Sequence, residues 1–119
     1  MLNWKDPGRH QLRMQEALNL IFPNCPDLLG FLFEKDQARL RGDPEWLLYS
    51  ADGFSSGERI MIRVALDLWN GSGNVRMWEI LESLDNDNFT GVLAGLRHLR
   101  RTDLDGPEIL WRQPKKAYS

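Results

Sequence analysis

Two histidines, one cysteine and a close pair of glutamates are the side chains in this sequence best suited to proton transfer, nucleophilic attack or metal binding. Their spacing argues against each use. His10 and His98 lie far apart with no cysteine or carboxylate at metal-ligand spacing, so no structural zinc site is expected. His98 reads as an exposed residue near a helix end. Cys25 precedes Pro26, and without a basic partner to lower its pKa it reads as a buried or capping residue rather than a nucleophile. Glu79 and Glu82, three apart on a helix, read as a solvated face. The turn Asp85-Asn86-Asp87-Asn88-Phe89-Thr90 alternates oxygen donors as a calcium loop does at its start. Such a loop needs an oxygen ligand where Phe89 stands, glycine where Thr90 stands, and glutamate at the twelfth position, which is Leu96. A helix cap explains the same residues. No catalytic, metal or cofactor residues are assigned, and no cofactor is expected.

The run Phe54-Ser55-Ser56-Gly57-Glu58-Arg59 resembles the signature sequence of ABC-type ATPases, in which serine and glycine amides face a nucleotide γ-phosphate. That family also requires a G-x-x-x-x-G-K-[ST] loop, which this sequence lacks. The six residues form a capping box instead, with the Ser55 hydroxyl placed to accept from the residue 58 amide while the Glu58 carboxylate reaches back.

With chemistry unassigned, binding is the remaining class. The net charge is −2, but residues 51–96 carry seven acids against three bases, and residues 97–119 carry six bases against three acids. The candidate contacts for a partner or a nucleic acid are therefore Arg97, Arg100, Arg101, Arg112, Lys115 and Lys116. Among the five tryptophans, Trp4 and Trp111 sit in irregular terminal segments and read as docked on the core, with partner contact as the alternative that makes them candidate interface anchors, whereas Trp69 and Trp78 are expected to pack together.

The elements that must position these residues read as helices. Asp6-Pro7 and Asp43-Pro44 pair a cap with proline at the first helical position. The first start leads a helix to about Phe22, and the second leads a short helix closing at Gly53. Between them a helix from Pro26 is expected to end near Gly42. From Ser55 to Trp69 apolar residues cover most of a helix, leaving a narrow polar stripe of Arg59, Arg63, Asp67 and Asn70. The break Asn70-Gly71-Ser72-Gly73-Asn74 precedes a fifth helix defined by Met77, Ile80, Leu81 and Leu84. A sixth buries Phe89, Val92, Leu93, Leu96 and Leu99, with Gly91 and Gly95 permitting close approach of a neighbour. The expected fold is all-α, a single compact bundle of five to six helices spanning residues 1–119, with residues 1–6 and 113–119 frayed.

The order from Glu58 to Arg101, a long helix, a Gly-rich break, a short helix, a four-residue turn and a helix ending in arginines, resembles a helix-turn-helix or winged-helix core. The resemblance implies that Trp78, Leu81, Leu84, Val92, Leu96 and Leu99 pack the second and third of these helices together, and that Ile109-Leu110-Trp111 forms a short wing strand. Asp85 and Asp87 stand where phosphates and guanine edges would meet a recognition helix. The expected function is protein–protein binding, as an adaptor, regulator or inhibitor of the kind bacteria and their phages encode, with DNA binding as the alternative and a homodimer compatible with either. One cysteine and the absence of a basic-then-apolar leader point to the cytoplasm. No apolar run approaches the roughly 18 residues that cross a bilayer, so no membrane partner is expected.

Overall fold

A computed structural model describes residues 1–103, and of residues 101–103 the backbone alone. The described residues form six α-helices and no sheet: α1 (Arg9–Ile21), α2 (Asp27–Leu32), α3 (Pro44–Ser50), α4 (Ser56–Asn70), α5 (Met77–Ser83) and α6 (Asn86–Asp103). A 3-10 turn, Ala51–Gly53, follows α3.

Helix α4 is the centre. The Ser55 hydroxyl accepts from the Glu58 amide (3.2 Å) and the Glu58 carboxylate accepts from the Ser55 amide (2.9 Å), which closes the expected capping box. Ile60, Met61, Ile62, Val64, Ala65 and Leu66 are all buried, and α1, α2, α3 and α5 pack around them. The helix ends at Gly71, whose φ of 79° is the left-handed C-cap that glycine adopts without strain. The Asp43 carboxylate accepts from the Trp46 amide (3.1 Å), with Pro44 in the first turn of α3, as the sequence implies.

Three expectations fail in the first forty residues. Helix α1 is capped at Gly8 rather than Asp6, with the Gly8 amide donating to the Gln11 side-chain oxygen (2.7 Å). Helix α2 stops at Leu32, ten residues before Gly42. There the chain turns back on itself, pairing Phe33 with Leu40 in an isolated antiparallel bridge, with Glu34 donating to the Arg39 carbonyl (2.9 Å) and Arg41 to the Leu32 carbonyl (2.8 Å). The N-terminal residues are docked rather than frayed. Asn19 and Gln15, one turn apart on α1, bind the backbone of Leu2 and Trp4, and the Trp4 indole donates to the Glu34 carbonyl (3.2 Å). Trp4 is 3% exposed, edge-on to Phe33 (5.7 Å) and Trp69 (5.9 Å). The aromatic cluster expected of Trp69 and Trp78 is formed by Trp69, Trp4 and Phe33.

Helix α6 packs chiefly on α1, not on α5. The two helices run antiparallel, since Gly91 faces Ile21, Gly95 faces Ala17 and Ile21, and the His98 Nε2 lies 2.9 Å from the Glu16 carboxylate. A β-carbon on Gly91 would sit 2.7 Å from the Ile21 carbonyl oxygen, so the approach expected of the two glycines is made, backbone against backbone.

Candidate binding groove

The position of α5 is set by the polar stripe of α4. Arg63 donates from Nε to the Gly73 carbonyl (2.9 Å), from Nη2 to the Asn74 carbonyl, and from both terminal nitrogens to the Glu79 carboxylate (3.0 and 3.1 Å). One turn on, Asp67 accepts from the amides of Asn74 (2.8 Å) and Val75 (2.9 Å), and Asn70 accepts from Ser72 (3.1 Å). Gly73 is pressed so closely on α4 that a β-carbon there would lie 1.8 Å from the Arg63 carbonyl oxygen. The stripe therefore binds the loop of residues 71–76 and through it α5. Glu79 is not part of a solvated pair. Its hydrogen bonds from the Arg63 side chain, and secondarily from the Arg76 amide, hold its carboxyl below the ordinary value of 4.5.

Held at its start, α5 buries none of its own residues completely. Ile80 and Leu84 pack partly on the core, while Met77 (74%), Trp78 (64%) and Leu81 (57%) face solvent. The expected burial of Trp78, Leu81 and Leu96 between α5 and α6 is overturned, as is a buried position for Leu93, which is 44% exposed. The reason lies in helix geometry. At about 100° per residue, Gly91 and Gly95 lie opposite Phe89, Leu93 and Leu96. Once the glycines take the tight contact with α1, the leucines turn outward. Between α5 and α6 they leave a cavity of about 200 Å³ lined by Met77, Ile80, Leu81, Phe89, Val92, Leu93 and Leu96, apolar throughout.

The groove has charged ends of opposite sign. Exposed Arg76, Arg97 and Arg100 stand at the start of α5 and the C-terminal half of α6, and exposed Glu82, Asp85 and Asp87 stand at the turn that joins the helices. Asp85 also caps α6, its carboxylate accepting from the Asn88 amide (2.8 Å). No group of three or more metal-ligating side chains occurs among the described residues. Burial, and then the charges of Glu58 and Asp85, push the Cys25 thiol up, which favours its protonated form.

Of the sequence-derived contacts, Arg97 and Arg100 are exposed on α6, Trp4 is a core residue rather than an anchor, and Arg101 lies on the helix backbone. Trp111, Arg112, Lys115 and Lys116, with the expected strand of residues 109–111, fall outside the described residues. Leu93 and Leu96 were legible only through the four-residue spacing of Gly91 and Gly95, which marks the opposite face of α6, and no signal in the sequence showed that Met77, Trp78 and Leu81 on α5 are left uncovered. No protein-family model, curated protein or solved structure matches the chain. No helix among the described residues is long and apolar enough to cross a membrane.

Proposed function

We propose that the protein acts by binding another protein, as a cytoplasmic adaptor, regulator or inhibitor, and that the groove between α5 and α6 is its docking surface. The observation that carries this reading is the contiguous apolar face of Met77, Leu81, Leu93 and Leu96, which lines one cavity and stands open to solvent among the described residues. Each such side chain covered by a partner contributes about 1.5–3 kcal/mol before the costs of association. The charges at the two ends fix the direction of a bound segment, which needs acidic residues towards Arg97 and Arg100 and basic residues towards Asp85 and Asp87. A photo-crosslinking residue placed at Leu81 should label a defined protein in extract of the native host, whereas the same residue at exposed His10, which is not part of the groove lining, should not. Equal labelling from both positions, or none from either, would defeat the proposal.

A further inference from the structure

We infer that, when no other partner is present, the groove seats the same face of a second copy of this chain in an antiparallel two-fold pair. This inference rests on reading the groove as a docking surface, and it names one occupant. Charge decides the orientation. Exposed Arg97 and Arg100 stand in the C-terminal half of α6, and exposed Asp85 and Asp87 stand at its start. Two copies laid face to face with α6 parallel would set base against base and acid against acid. A two-fold axis in the plane of the face, running across the helices, reverses one copy, so that each basic end meets the acidic end of the other.

The register follows from the same helix. Across such an axis, residues of the two copies meet when they lie equally far from it. Asp85 and Arg100 lie equally far from a point between Val92 and Leu93, and Phe89 and Leu96 lie equally far from the same point. One axis position therefore sets Asp85 of each copy opposite Arg100 of the other, Phe89 opposite Leu96, and the two Leu93 side chains together at the centre. These groups share a face, because at about 100° per residue Arg100 falls between Leu93 and Leu96 around α6. Asp85 is fixed at the first turn by its cap to the Asn88 amide (2.8 Å). From α5, Met77 and Leu81 line the same cavity and are covered with it, and two-fold symmetry makes every apolar contact twice. A different partner of the groove must first dissociate the pair, so its apparent affinity falls as the concentration of this chain rises.

The test is sedimentation velocity on the full chain over a range of concentrations, with circular dichroism to confirm that each variant is folded. Wild type should pass from monomer to dimer as concentration rises. Leu93→Asp, which brings two like charges together at the axis, should remain monomeric where wild type is dimeric, with its helical signal kept. Arg100→Glu should weaken the dimer about tenfold or more, because it creates two pairs of like charges. Adding Asp85→Asn, which keeps a capping oxygen, should restore part of that loss. Within one chain residues 85 and 100 lie about 22 Å apart along α6, beyond the screening length of about 8–10 Å, so the rescue can arise only between chains. A dimer that survives both Leu93→Asp and Arg100→Glu lies on another face and overturns the inference. A wild type that stays monomeric overturns it too. If a crosslinker at Leu81 then labels a host protein, the docking reading stands with a different occupant; if it labels none, both readings end.

Discussion

Arg63 distributes one guanidinium over two backbone carbonyls and a carboxylate, so a single side chain joins α4, the loop of residues 71–76 and α5. Its bidentate pairing with Glu79 gives the domain a defined response to acid. In the unfolded chain Glu79 protonates near 4.5, and in the folded chain only at lower pH. The unfolded state therefore takes up the proton first. The pair's contribution is complete above the ordinary value and is lost as pH falls through the folded one. Glu79→Gln should be less stable than wild type near neutral pH, and the gap between the two urea midpoints should close on acidification below 4.5; a gap that stays constant would show that the pair carries no linkage. Gly73 offers a stricter test of the same junction. Its missing β-carbon would collide with backbone rather than with a movable side chain, so Gly73→Ala should cost about 1–3 kcal/mol. Urea unfolding measures it directly, and an unchanged midpoint would mean that the loop is not pressed on α4.

At the scale of elements, the antiparallel contact of α1 and α6 depends on two glycines that meet different neighbours. A β-carbon at Gly95 would lie 2.4 Å from Cγ1 and 2.6 Å from Cδ1 of Ile21, whereas one at Gly91 meets the Ile21 carbonyl. Trimming the side chain should therefore relieve one substitution and not the other. Ile21→Ala should recover part of the stability lost in Gly95→Ala, and none of that lost in Gly91→Ala; thermal unfolding of the two double variants decides it, and equal rescue would contradict the assigned contacts. These helices also show where sequence was sufficient. Ser55 with Glu58, Asp43 with Pro44, and the apolar breadth of Ile60 to Leu66 are local signals that tertiary contacts reinforce. The end of α2 was not local, because Phe33 turns to meet Leu40 and the Trp4 indole seals that turn from thirty residues away. Trp78 misled for a related reason, since periodicity says which residues share a face but not whether another helix covers it. The candidate groove was less legible than the fold, being what remains once α1 has claimed the glycine face of α6.

For the molecule as a whole, the groove shares Val92 with the core, but its exposed side chains Met77, Leu81, Leu93 and Leu96 do not belong to the core, and this makes function accessible to mutation. Leu66 is fully enclosed on α4, and Leu66→Ala should cost about 2–5 kcal/mol through the cavity it leaves. Leu81 touches the same groove that a partner would fill but is 57% exposed. Leu81→Ser should therefore keep the urea midpoint within about 0.5 kcal/mol of wild type, the range of surface changes that break no structural feature. Met77→Ser should behave in the same way, because it faces solvent at the other end of the groove. If the groove is the docking surface, each of these two variants should lose most of the labelling obtained from a crosslinker at neighbouring Leu93, with no loss of helical signal. Leu66→Ala should instead lose labelling only in proportion to the unfolded fraction. Labelling unaffected by both surface changes would place the partner elsewhere, and exposed Trp46 and Tyr49 on α3 would be the next side chains to substitute.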